Sequence, residues 1–498
     1  MSTVLPKIAA RAPKLWFLPS LGLLATGVFG YLMATPEALP VILPMCAAAS
    51  IVAVFMSGLW RRQGIRVSCF EIGAVYVFVV SVYAIYPLLG FVVNGLVYSP
   101  SSDSRLYRAQ PDTAEVAVIG WYYVTHLGAF AAAYLFFRSD DGVVPVKYQL
   151  PDRNSLSAAI ILYVSIKLFL WSVGAWFGLS VETYADGYLL HTKVPLIIAQ
   201  LINHLGGAVF TLELIILVAM FGRYRQFRFW IFAWILVVFL MTAIKLGART
   251  QLILMAISSM VIYDRLVRPI PPHAVSLLGL GLLSCFLVLG LVRNGLTADG
   301  LPFGEGLFSQ SSEFECLFGN VYDLGAMKAS GQIRDLPAGF FLSDITSLIP
   351  QQIAPFSKIS PSAWYVKTFY RSAEEGGQGF AFGTIAESVL GWSWFDLVLR
   401  GGVLGLLLAT LHRYCAVRSG NFWALIFYVW ATVWVYQLFR STTFHLLPLA
   451  FFRFLPVCIG VKMLAGHRSR AGRTHQNEST RYCVKGVSGI RVCRERPF

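Results

Sequence analysis

The sequence predicts an all-α polytopic membrane protein, and three observations carry that prediction. Hydrophobic residues make up 57% of the chain and charged residues only 13%, the mean hydropathy is positive, and apolar runs of roughly 20 residues, each long enough to cross a bilayer, recur along most of the length. A water-soluble globule of 498 residues needs far more charged surface than this. Taken in order, the apolar windows give about twelve transmembrane spans, at about 15–34, 38–60, 69–92, 116–137, 157–178, 195–221, 229–247, 250–264, 274–292, 395–416, 421–439 and 446–464. The eighth is short. The chain thus divides into spans one to nine (1–292), a long hydrophilic stretch (293–394), spans ten to twelve (395–464) and a basic tail (465–498).

Orientation follows from Lys and Arg, which concentrate on the cytoplasmic side. Arg61, Arg62 and Arg66, then Arg223, Arg225 and Arg228, then Arg265 with Arg268, and Arg413 with Arg418, all fall on one side if the N-terminus, with Lys7, Arg11 and Lys14, is inside. The tail carries Arg468, Arg470, Arg473, Arg481, Lys485, Arg491, Arg494 and Arg496, so both termini are expected in the cytoplasm. The net charge of +15 then belongs to inner loops and tail, where it faces anionic headgroups rather than nucleic acid. The first span, lacking a small-residue cleavage pattern, reads as a signal anchor. Of eight cysteines, Cys316 alone is expected outside, and Cys483 with Cys493 lacks paired zinc-site spacing, so neither disulfide nor metal is indicated.

The stretch 293–394 is then the one large outer loop. It mixes Trp364, Tyr365, Phe369 and Tyr370 with Pro350, Pro355 and Pro361, a makeup that suggests a folded segment lying against the bilayer. A smaller outer loop holds Tyr184 and Tyr188 four apart, either an interfacial aromatic belt or a sugar-facing platform. No six-plus-six duplication is visible, as a carrier built of two halves would require.

Arginines mark the outer side. Arg249 closes span seven, Arg293 follows span nine, Arg400 lies in the outer part of span ten and Arg440 follows span eleven. Each could snorkel to the headgroups, but arginine is depleted from short outer turns, and a planar fork of donors suits phosphate or diphosphate. As a set they suggest an anion site. Lys167 and Arg453 fall near the centres of spans five and twelve, so both should face the bundle, with Glu71 or Glu213 as expected partners.

Glu387 is the leading carboxylate, just before span ten, with Asp344 and Glu375 as rivals. Thr384 and Glu387 also have capping-box spacing. His445, beyond Arg440, is an alternative base, or a polar residue at a helix start. Asp140-Asp141 sits in a loop too small for a nucleotide-binding domain, and no Walker, dinucleotide or His-Glu-x-x-His motif is present.

The run from Gly383 to Trp392 followed by Arg400-Gly401-Gly402-Val403-Leu404-Gly405, the Gly247-Ala248-Arg249 turn, and the segment Ile349 to Lys358 resemble the Wzy-type O-antigen and oligosaccharide repeat unit polymerases of bacterial inner membranes. The likeness in layout covers most of the chain, although Gln351 stands where that family commonly has arginine after the proline. The resemblance implies a GT-C-like, lipid-donor, metal-independent glycosyltransferase without cofactor. It would join undecaprenyl-diphosphate-linked oligosaccharides at the periplasmic face, alongside a chain-length regulator and a repeat-unit flippase. In that frame Glu387 acts as base or acceptor-positioning group, with Arg249 and Arg293 on the diphosphate, while Arg440, Lys358, Arg400, Tyr184, Tyr188 and His445 contact substrate. An O-antigen ligase shares this layout, and a transporter or flippase of lipid-linked sugars is the non-enzyme alternative.

Overall fold

The computed structural model describes residues 36–63, 70–97, 110–138, 153–178, 194–223, 249–267, scattered positions between 270 and 281, 313–334, 336–349, 358–371, 380–418 and 420–466. Within these, the fold is helical throughout, with no strand among the described residues. The helices are α1 (Leu39–Gln63), α2 (Ile72–Val93), α3 (Thr113–Phe137), α4 (Arg153–Trp176), α5 (Leu196–Arg223), α6 (Arg249–Leu266), α7 (Glu313–Ala329), the short α8 (Ala338–Phe341) and α9 (Ser343–Thr346), and α10 (Pro361–Phe369). They continue with α11 (Thr384–Leu390), α12 (Trp394–Leu411), α13 (Phe422–Trp434), α14 (Gln437–Arg440) and α15 (Leu446–Leu449). Two π-helical turns interrupt the series, His412–Arg418 after α12 and Ala450–Phe454 after α15.

Seven helices among the described residues are long and apolar enough to cross a membrane: α1, α2, α3, α4, α5, α12 with its π turn, and Leu446–Gly466. The fold is therefore that of a multi-pass helical membrane protein, with seven such helices among the described residues where twelve spans were expected. Expected spans one and seven lie outside the described residues, as does most of span nine. The eleventh appears as the shorter apolar helix α13. The eighth is α6, whose 18 residues include Arg249, Thr250, Gln251, Asp264 and Arg265 and which is not among the seven.

At the centre, α12 lies along α3, with α1 and α2 packed on the same helix. Glycine permits the close approach. A Cβ on Gly401 would stand 2.6 Å from the His126 carbonyl oxygen, and one on Gly405 would stand 2.6 Å from that of Phe130. Two glycines four apart thus let backbones touch where lipid gives no hydrophobic drive for helix association.

The chain directions fix two ends. Glu71 before α2, Arg138 after α3 and His412 after α12 meet at one end. Glu71 is fully buried and takes Arg138 Nε at 2.6 Å, Arg138 Nη2 at 3.0 Å and Tyr134 Oη at 2.7 Å. Tyr428 ties in further, accepting from the Ile72 amide at 3.0 Å and from Arg265 at 3.1 Å. This network fastens five helices together. Glu71 was an expected partner of Lys167 or Arg453; it is instead committed to Arg138, while Lys167 lies 4.0 Å from Glu213. The spacing of apolar runs locates spans but carries no information on which helix ends become neighbours.

At the opposite end, the long hydrophilic stretch folds onto the bundle. Phe314, Leu317, Phe318, Val321 and Leu324 form the buried stripe of α7 at helical period, and α7 packs on α2, α3 and α11. Its aromatics build a small core of their own: Tyr365 is fully buried and donates to Asp323 at 2.7 Å, Tyr370 donates to the same carboxylate, and Trp364 packs edge-on against Phe340 and Phe369. The loop was expected to be folded, and its described aromatics pack on one another and on Asp323.

Candidate functional site

The site is assembled on α11, a helix of two turns whose position is fixed from four sides. Gly383 precedes it with φ of +90°, in the left-handed region where a side chain would be strained, and its amide donates to the Ser441 carbonyl at 2.9 Å. Thr384 donates its hydroxyl to the Leu438 carbonyl at 2.5 Å. This replaces the expected capping box: Gly383 is the N-cap and no side chain caps the helix start. Asn320 of α7 donates to the Ala381 and Phe382 carbonyls. At the far end Lys328 Nζ reaches the last carbonyls, Val389 at 2.9 Å, Leu390 at 3.0 Å and Gly391 at 2.7 Å. A cation there satisfies orphan acceptors and complements the helix dipole.

Every residue of α11 is buried, Glu387 included. Its Oε2 accepts from the Thr443 amide at 3.1 Å, from Thr443 Oγ1 at 2.8 Å and from Arg400 Nη1 at 2.8 Å. Arg400, itself buried, donates Nε to Asp396 Oδ2 at 2.8 Å and Nη1 to Thr443 Oγ1 at 2.6 Å. One guanidinium therefore bridges two carboxylates. Burial pushes the Glu387 carboxyl up to about 7, against the opposing pull of Arg400 and of the two Thr443 hydrogen bonds, and the nearby Asp344 charge pushes it further the same way.

Asp344, on α9, mirrors this arrangement from the other side. It accepts from Thr442 Oγ1 at 2.7 Å and from the Phe444 amide at 3.0 Å, and His445 Nδ1 lies 3.5 Å from it. The turn between α14 and α15, Ser441 to His445, is thus clasped between two carboxylates contributed by the folded loop. Chemically, the cluster offers a carboxyl that changes charge near neutrality, a second carboxylate bound to the same segment, and a half-exposed imidazole beside it. A buried carboxyl raised in this way is suited to general acid or base work.

Among the residues singled out from sequence, the structure brings Glu387, Arg400, His445 and Asp344 together. Arg440 is half-buried at the end of α14, directly before the clasped turn. Lys358 donates to the carbonyls of Ser347 and Ile349 and so pins the chain after α9. Arg249 is the first residue of α6, but its side chain lies outside the described residues, as do Arg293, Tyr184, Tyr188, Glu375 and the Asp140-Asp141 pair. Three contributors escaped the sequence reading: Asp396, Thr442 and Thr443. Asp396 and Arg400 at a spacing of four on one helix were a legible ion pair. The threonines carried no local signal.

The fold and this cluster define a helical membrane protein with a buried carboxylate–arginine centre at one end of its bundle. The chain matches no known protein family, no curated protein and no solved structure.

Proposed function

We propose that the protein is a metal-independent glycosyltransferase that polymerises oligosaccharide repeat units carried on undecaprenyl diphosphate, working at the periplasmic face of a bacterial inner membrane with both termini in the cytoplasm. The observation that carries this reading is Glu387: a buried carboxyl held near pH 7, at the bundle end where the long loop folds over the spans. The positive-inside pattern assigns that end to the periplasm, where a polyprenyl donor must present its sugar.

In the reaction, an acceptor hydroxyl attacks the anomeric carbon of the donor sugar. The new glycosidic C–O bond forms as the C–O bond to diphosphate breaks, the proton passes to Glu387, and the electron pair leaves on the lipid-bound diphosphate. Arg400 and Thr443 hold Oε2, so the carboxylate is fixed in orientation. Arg249, Arg293 and Arg440 are assigned to the leaving diphosphate, Lys358, Tyr184 and Tyr188 to the glycan, and His445 with Asp344 to the acceptor side. A flippase supplies the repeat units and a chain-length regulator acts on the product.

The test is a deletion strain complemented with wild type or Glu387→Gln, with the surface glycan resolved by size. The proposal expects a single repeat unit in the deletion and in the variant, and a ladder with wild type. Complete loss of glycan-capped lipid acceptor would indicate a ligase instead, and loss of outward-facing lipid-linked units a transporter.

A further inference from the structure

We propose that Arg453 and the face of α5 along which it lies form a docking site for the diphosphate headgroup of a long-chain lipid, entered sideways from the bilayer. The inference deepens the polymerase reading, on which it rests, by adding Arg453 to Arg249, Arg293 and Arg440 as the group that first receives the donor's diphosphate from the bilayer.

Arg453 sits in the π-helical turn Ala450–Phe454 inside the span Leu446–Gly466. Its own carbonyl accepts from Thr211 Oγ1 at 3.1 Å, its stem passes over Gly207 so closely that a Cβ there would overlap it, and Nη2 donates to Asn203 Oδ1 at 3.1 Å. Thr211, Gly207 and Asn203 are four apart, successive turns of α5. The side chain therefore runs along α5 in a groove that a glycine keeps open. Side chains lean toward the N-terminus of their own helix, here the Leu446 end, where Thr443 and Phe444 bind Glu387 and Asp344. The guanidinium is directed toward the proposed active site.

Its charge has no counterion among the described residues. Among the described residues no carboxylate lies within 4.0 Å of Arg453, and Asn203 is the one acceptor of its guanidinium. Glu213, the one carboxylate of α5, lies 4.0 Å from Lys167 of α4. A second donor on the same wall is also unmet: Trp434, packed against Phe210 of α5 at 5.8 Å and against Tyr436 at 6.2 Å, keeps a buried Nε1–H with no acceptor among the described residues. A half-buried cation in a span is retained at a cost unless an anion answers it. A diphosphate brings several strong acceptor oxygens, matched to a guanidinium fork.

The apolar surroundings select the source of that anion. Phe451, Phe452, Leu455 and Ile459 flank Arg453 as an exposed stripe at helical spacing, so the groove opens onto lipid. An isoprenoid chain can lie along that stripe while its headgroup reaches Arg453. A free anion in water has no such path.

The experiment uses the full-length protein in nanodiscs of zwitterionic phosphatidylcholine, titrated with undecaprenyl diphosphate lacking sugar and read by native mass spectrometry. Wild type is expected to hold the lipid, and Arg453→Gln to weaken it about tenfold or more, the loss of a charged hydrogen-bonded contact. Gly207→Leu, which keeps every charge but fills the groove, is expected to weaken it comparably and serves if the arginine variant fails to assemble. Unchanged binding in both variants would overturn the proposal, as would equal competition by phosphatidylglycerol or by inorganic pyrophosphate, which would leave a general anionic-lipid contact or a free-anion site. Binding is read without sugar transfer. A protein that binds through Arg453 yet makes no polymer supports this site and sinks the polymerase reading.

Discussion

Replacing Glu387 by glutamine is expected to make the protein more stable at alkaline pH while abolishing its activity. The carboxyl ordinarily titrates at 4.5 and here at about 7, so between those values the folded protein binds a proton that the unfolded chain has released. Stability contributed by the protonated group is complete below 4.5 and is lost as pH rises through about 7. The full difference corresponds to about 3 kcal/mol on the alkaline side. Glutamine has the shape of the protonated acid, can accept from Thr443 and Arg400 through its carbonyl oxygen, and leaves Arg400 its pair with Asp396 at 2.8 Å. Thermal unfolding in detergent, followed by tryptophan fluorescence from pH 5 to 8.5, provides the assay. Wild type should lose stability across the neutral range, whereas the variant should show a flatter profile and the higher midpoint at pH 8.5. A variant that is less stable than wild type at pH 8.5, with an equal slope, would refute the account of Glu387 as a charge held at a cost.

Three further outcomes follow from packing and charge. Gly405→Leu drives a side chain into the Phe130 backbone, 2.6 Å from where its Cβ would stand, and should destabilise by about 1–3 kcal/mol or more, measured as a lower unfolding midpoint. Glu71→Leu removes the carboxylate that accepts two hydrogen bonds from buried Arg138 and should cost about 3–5 kcal/mol, with Arg138→Met on the same background recovering part of the loss. Lys328→Met removes the donor to three carbonyls at the end of α11 and should lower polymer yield more than it lowers expression, since the helix that aims Glu387 loses its anchor.

The spans were the legible part. The apolar window at 38–60 corresponds to α1 (Leu39–Gln63), 116–137 to α3 (Thr113–Phe137) and 195–221 to α5 (Leu196–Arg223), because hydrocarbon thickness dictates length and composition together. Glu387 and Arg400 were visible as charges beside a span, yet their pairing was not. It depends on the register between α11 and α12, set by Gly383, by Ser393 at φ of +53° and by Lys328 from a distant helix. Thr443 was invisible for the same reason: a threonine in a turn means nothing until another segment lays a carboxylate against it. Glu71 was misassigned because a charge at a helix end finds its partner through topology, and α3 returns to that end carrying Arg138. The packing of the loop aromatics on one another and on Asp323 was not legible, because composition does not distinguish a ring facing lipid from one facing a tyrosine or an aspartate.

The most direct measurement is the rate of polymer formation from purified lipid-linked repeat units in proteoliposomes, as a function of pH, for wild type and Glu387→Gln. If Glu387 is the base, the wild-type rate rises with pH through about 7 as the carboxyl ionises, and the variant falls by about 100-fold or more at every pH. A Glu387→Gln protein that polymerises at the wild-type rate, or a wild-type rate that is flat from pH 5.5 to 8.5, would contradict it.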